Sequence, residues 1–252
     1  MDLQLSGTRV LLTGGTRGIG RAIVEAFLDE GARVGFCARD ADAVRATQEA
    51  LASRGDVTGS AVDVGDGAAL AAWVEESAAV LGGLDTVVAS VSALAIPDTE
   101  ENWLQSLNVD LMHTVRLVRA ALPHLERSSA PSIIAISSVS GRESDFASGP
   151  YGTAKTAIIG YVSGLAMQLA EKGIRANVVS PGNTYFEGGV WASIETGDPE
   201  LFRTAVGLNP TGHMGTPQEV AAPVVFLASP VASRISGANL VVDGALTRGI
   251  QV

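Results

Sequence analysis

Thr13-Gly14-Gly15-Thr16-Arg17-Gly18-Ile19-Gly20 follows a short apolar run, 10–13, and opens a helical pattern over 19–29. Glycines at this density let the chain turn tightly and bring its backbone close to a pyrophosphate. The helix that follows offers free N–H groups and a positive dipole end to the same phosphates. A glycine-rich stretch alone says little. Placed between a first strand and a first helix, it marks a dinucleotide-binding loop.

The surrounding sequence repeats that strand-helix alternation. Short apolar runs at 10–13, 33–37, 58–62, 86–89, 133–136, 175–179 and 239–242 read as strands covered on both faces. Helical patterns separate them at 19–29, 41–53, 67–80, 103–124, 152–171 and 217–228. The pattern predicts an α/β fold: a Rossmann-type, doubly wound, seven-stranded parallel sheet with helices on both faces, in one unit over 1–252. The stretch 183–215 has no clear period but is rich in apolar side chains, so it reads as a substrate lid.

Composition narrows the function. The chain has 252 residues, is 46% hydrophobic and carries a net charge of −10, with no basic patch for nucleic acid. Its single cysteine, Cys37, excludes an intrachain disulfide and reads as a small buried hydrophobe. Met1-Asp2-Leu3-Gln4 lacks the pattern of a signal peptide, and the longest apolar run, near 221–228, is short and interrupted by Pro223. A cytoplasmic protein away from membranes is expected. His113, His124 and His213 form no ligand cluster, so no metal is expected; the first two read as surface or interface residues.

Tyr151 and Lys155 stand four residues apart at the start of a helix and share a face. A free tyrosine ionises near pH 10, too high for a base at neutral pH, and a neighbouring ammonium lowers that value. The chain prefers arginine to lysine by fifteen to two, so a lysine at 155 points to a site wanting a compact charge. At the end of the second strand Ala38 and Arg39 stand where an NAD enzyme places a carboxylate for the ribose. A guanidinium there, with Arg17 in the glycine loop, suits the 2′-phosphate of NADP(H). Asp40 reads as the cap of the next helix.

The spacing Thr-Gly-x-x-x-Gly-x-Gly, then Asp63-Val64, Asn108, Ser138, Tyr151-x-x-x-Lys155, Pro181-Gly182 and Val242-Asp243-Gly244, resembles the short-chain dehydrogenase/reductase family over nearly the whole chain. The resemblance implies that Gly14, Thr16, Arg17, Gly18, Ile19 and Gly20 hold the cofactor phosphates. It assigns the adenosine to Ala38, Arg39, Asp63 and Val64. The nicotinamide half falls to Ala89, Ser90, Val91, Tyr151, Lys155, Pro181, Gly182 and Thr184. Ser138, with Ser137 as its neighbouring alternative, polarises a substrate carbonyl beside Tyr151, and Asn108 holds a water of the proton relay. Leu94 and Phe146 flank the substrate, with Phe186, Trp191 and Phe202 in the lid.

The activity implied is NADP(H)-dependent interconversion of a ketone and a secondary alcohol, with Tyr151 as acid/base, in a homotetramer or homodimer. A 3-oxoacyl-thioester reductase shares every motif, and a non-catalytic NADP-binding regulator on the same fold is a third reading. Related enoyl reductases place six residues between the tyrosine and lysine; here there are three. Three departures stand out. Ala89-Ser90-Val91-Ser92 replaces the usual Asn-Asn-Ala-Gly, the stretch 92–108 is short, and Phe186 stands where a threonine is common. On the helix after Tyr151, a stripe of Ala154, Ile158, Tyr161, Leu165 and Leu169 reads as core. A second stripe of Ala157, Gly160, Gly164 and Met167 would admit a partner helix.

Overall fold

Seven parallel strands carry the molecule: β1 (Arg9–Thr13), β2 (Arg33–Ala38), β3 (Val57–Ala61), β4 (Thr86–Ala89), β5 (Ser132–Ile136), β6 (Arg175–Pro181) and β7 (Asn239–Val242). Their spatial order is β3-β2-β1-β4-β5-β6-β7. The computed structural model describes residues 1–249; residues 250–252, the end of the expected single unit, lie outside the described residues. The expected doubly wound architecture is present.

Alternation along each strand builds two cores. Leu11, Val87, Ile133 and Ala135 face one layer, with α3 (Gly67–Leu81), α5 (His113–Leu125) and α6 (Pro150–Leu169). Val10, Leu12, Val88, Ile134 and Ile136 face the other, with α1 (Gly18–Asp29), α2 (Ala41–Leu51) and α9 (Pro217–Ala228). The inner strands, buried on both faces, leave no polar side, which explains their apolar runs, whereas the edge strands β3 and β7, also expected to be covered, are only partly buried. Asp40 caps α2 by accepting from the N–H groups of Asp42 and Ala43, as expected. Burial pushes the Cys37 thiol up to about 12, in keeping with an inert packing role.

Three expectations need correction. The helix expected over 103–124 is α4 (Glu100–Ser106), one π turn (Leu107–Met112) and α5. A π turn inserts one extra residue and rotates everything before it relative to the helix face that follows. The stretch 183–215 holds two short helices, α7 (Val190–Gly197) and α8 (Pro199–Gly207). Asp198 starts α8 by accepting from Leu201 N, with Pro199 in the first turn, where its missing N–H costs nothing. On α6, Val162 and not Tyr161 joins the buried stripe.

Candidate active site

The C-terminal ends of β1, β2, β4, β5 and β6 open on one cavity of about 540 Å³. The strand order reverses between β1 and β4, and such a reversal leaves a crevice between the outgoing loops. Gly14, Thr16, Arg17, Ile19 and Gly20 line it from the glycine loop; Ala38 and Arg39 line it from the end of β2. Val64, Ser90, Val91, Pro181, Gly182 and Thr184 continue the wall towards Ser138, Tyr151 and Lys155. Leu94, Phe146, Phe186 and Trp191 complete it. Ile96, Val139, Val190 and Ile194 add apolar surface that the sequence reading left out.

Five expected residues stand elsewhere. Gly18 lies under the Phe186 ring, where an added Cβ would approach Cζ to 2.5 Å. Ala89 is buried in the sheet, and Asp63 is exposed, its carboxylate accepting from Gly65 N at 2.9 Å. Phe202 packs edge-on against Tyr185, with ring centroids 5.9 Å apart, and packs against a small separate cluster of Trp191, Ala205 and Met214. Asn108 is tied outward: its Nδ2 donates to Gly65 O at 3.3 Å and its Oδ1 accepts from Arg116 at 2.8 Å.

The polar centre is built on α6. Gly149 has φ 111°, which glycine adopts without strain, and Pro150 starts the helix that presents Tyr151 and, one turn on, Lys155. Lys155 is only 2% exposed. Its ammonium lies 5.6 Å from the Tyr151 ring centroid and donates to Ile136 O at 3.2 Å. It also stands 3.1 Å from Oδ1 of Asp110, which is fully buried. The second carboxylate oxygen of Asp110 accepts from Ala93 N at 3.1 Å. Asp110, which the sequence reading did not single out, is thus the polar residue of this helical stretch that stands beside the lysine. The signal was present: Asp110, Thr114, Leu117, Ala121 and Leu125 share one buried face, although the π turn blurs its phase upstream.

The two candidate serines separate cleanly. Ser137 Oγ donates to Lys155 O at 2.9 Å and is used up in holding α6. Ser138 Oγ accepts from Ser140 N at 3.1 Å, which leaves its proton for a ligand in the cavity. Thr184 Oγ1 donates to Gly182 O at 3.1 Å. The loop after β4 adopts an uncommon conformation at Leu94, with φ 51°.

Buried beneath the cavity, His113 places Nδ1 2.9 Å from Val109 O and Nε2 2.8 Å from Thr13 Oγ1. It is not the surface residue expected. Its burial pushes its pKa down to about 4, so the ring is neutral near pH 7. Among the described residues no group of three or more His, Cys, Asp or Glu is placed to hold a metal. No helix of the described residues is long and apolar enough to cross a membrane.

Comparison with known proteins assigns this architecture to a class. A family model described as enoyl-(acyl carrier protein) reductase matches residues 14–247. The isoepoxydon dehydrogenase patN of Aspergillus clavatus is 40% identical, with 98% of each chain covered. The L-fucose dehydrogenase of Mus musculus is 37% identical over 98% of this chain and 90% of its own. The structure of a Serratia marcescens short-chain dehydrogenase/reductase mutant superposes with a TM-score of 0.87 at 30% identity, covering 97% of this chain and 99% of that one. The chain belongs to the short-chain dehydrogenase/reductase family. Members of this family are oxidoreductases that use nicotinamide cofactors.

Proposed function

We infer that this chain interconverts a ketone and a secondary alcohol with NADP(H), using Tyr151 as the acid/base. The observation that carries the reading is the buried Lys155 ammonium beside the Tyr151 ring, in the same cavity as the glycine loop.

The residues present suit a dinucleotide. A side chain at Gly20 would collide with the Gly14 carbonyl, so this loop keeps its backbone bare on the cavity side. Arg17, at the start of α1, makes no side-chain cap bond, which leaves the first N–H groups of the helix for phosphate oxygens. Among the described residues neither Arg17 nor Arg39 is held in an ion pair with a carboxylate. Both line the cavity near Ala38, and their charge supports a 2′-phosphate.

When bound, the nicotinamide donates or accepts the hydride. In the reducing direction Ser138 and Tyr151 donate hydrogen bonds to the substrate oxygen, and Tyr151 passes it a proton as negative charge develops there. Lys155 favours the phenolate this leaves. In the oxidising direction the phenolate takes the alcohol proton. The three-residue spacing of Tyr151 and Lys155 supports carbonyl rather than enoyl chemistry.

On the substrate side, Leu94, Ile96, Phe146 and Trp191 support a small, uncharged, largely apolar carbonyl or alcohol compound. The relatives named for isoepoxydon and L-fucose are in keeping with a small molecule. The outward stripe of Gly160, Gly164 and Met167 supports a homotetramer, and 183–215 acts as the lid. Tyr151→Phe tests the core of the reading. It should abolish turnover and leave NADPH binding nearly intact, because only the proton donor is removed. Turnover within tenfold of wild type would discard the mechanism.

A further inference from the structure

We propose that Asp110 is the positioning residue of this site: its carboxylate fixes the Lys155 ammonium and sets how readily Tyr151 releases its proton. This rests on the reading of Tyr151 as acid/base. An ammonium has three N–H donors. One donates to Ile136 O at 3.2 Å, while Asp110 Oδ1 lies 3.1 Å from Nζ as a buried ion pair without hydrogen-bond geometry. Among the described residues that leaves two N–H groups without a hydrogen-bond partner, beside the cavity that Lys155 lines. One hydrogen bond and one buried ion pair therefore hold Nζ, and the Asp110 carboxylate is itself held through Ala93 N. The loop from Ser90 to Leu94, which walls the cavity, is thereby tied to the same carboxylate.

The charge has a consequence for the chemistry. A lone ammonium beside a phenol favours the phenolate strongly. Here the ammonium is paired, so Tyr151 faces a cation whose field is partly cancelled from behind. The other groups around Lys155 add no charge that changes near neutral pH. His113, on α5, is neutral there with its pKa near 4. Arg116 is occupied by Asn108 and Gly65. β5 contributes a carbonyl, β1 the Thr13 hydroxyl, and the turn after β5 contributes Ser137 and Ser138. Asp145 lines the cavity farther out, held by Ser140 Oγ and Ala147 N, and is the same in every variant below.

Asp110→Asn keeps the size of the side chain and removes its charge. The acid limb of kcat/KM for alcohol oxidation by the full-length enzyme should then move down by about one pH unit. Asp110→Glu, which restores the charge, should move it back. A residue that merely packs would lower activity without moving the limb, so an unmoved limb in an active Asp110→Asn overturns the proposal. Should Asp110→Asn fail to fold, the double variant Asp110→Asn with Lys155→Gln decides. If the fault is an orphaned buried ammonium, removing both charges restores a cooperative thermal transition; if the double variant also fails to fold, Asp110 serves packing and the proposal fails. Tyr151→Phe, assayed alongside, separates the two readings. An inactive Tyr151→Phe with an unmoved limb discards only the role of Asp110, whereas an active one discards the acid/base reading and this inference with it.

Discussion

His113 Nε2 lies 2.8 Å from Thr13 Oγ1, joining α5 to the end of the first strand beneath the cavity. Its other nitrogen faces Val109 O, which can only accept, so Nδ1 carries the proton and Nε2 accepts from the threonine. Thr13 Oγ1 in turn accepts from Ser90 N at 3.1 Å. A neutral histidine thus secures the wall-forming loop after β4, where the family's usual Asn-Asn-Ala-Gly is missing.

That arrangement makes stability depend on pH. Burial is the largest cause of the lowered His113 pKa; Lys155 and Arg116 add to it, while the Val109 bond and Asp110 oppose it. The folded value, about 4, lies below the ordinary 6.5, so the unfolded chain binds the proton more readily. The histidine's contribution is therefore intact above pH 6.5 and is lost as pH falls towards 4. At about 1.4 kcal/mol per pH unit, the full loss is about 3 kcal/mol. His113→Gln should cost stability at pH 7 and close the gap with wild type by pH 4.5. Parallel stability curves for the two proteins between those values would refute this.

The cofactor preference should follow the end of β2. Wild type should bind NADPH more tightly than NADH by about ten- to a hundredfold, the worth of one charge-assisted contact to the extra phosphate. Ala38→Asp combined with Arg39→Leu should reverse the preference. Titration of both nucleotides against both proteins measures it, and equal affinities in wild type would show that Arg39 and Arg17 are surface charges only.

Assembly should depend on the bare face of α6. Gly160 and Gly164 have nothing within 4 Å of an added Cβ, and Met167 is 78% exposed. A partner helix could approach closely there. Light scattering at micromolar concentration should give the mass of a homotetramer, and Gly160→Glu should lower that mass without unfolding the chain. A monomeric wild type would end this reading.

Substrate choice should favour neutral compounds over carrier-bound thioesters. Glu187, Glu195, Asp198 and Glu200 give the 183–215 stretch four acidic residues against one basic, Arg203, so anionic carriers should approach slowly. Phe146 meets Trp191 edge-on, centroids 5.9 Å apart, on the apolar side of the cavity. Catalytic efficiency should therefore be higher on a cyclic or aryl ketone than on a matched 3-oxoacyl thioester. A hundredfold preference for the thioester would make the chain an oxoacyl reductase instead.

The glycine loop, the alternation of seven strands with helices and the Tyr151–Lys155 pair were legible in the sequence. Each depends on local geometry: a turn that tolerates no side chain, runs that tolerate no polar face, and two residues one helical turn apart. Ser138 was legible as a candidate, but its distinction from Ser137 rests on which hydroxyl is already used. Asn108 and Asp110 are both polar residues of one helical pattern, and a single π turn, invisible to a 3.6-residue period, decides which of them meets Lys155. Phe202 and Phe186 look alike in sequence. One is held against the small cluster of Trp191, Ala205 and Met214 and the other covers Gly18, because the docking of α7 and α8 assigns their partners. Local patterns thus supplied the scaffold and the pairing of Tyr151 with Lys155. The burial of Asp110 and His113 and the closing of the cavity wall came from the packing of distant segments, since desolvation and pairing depend on neighbours that chain order does not bring together.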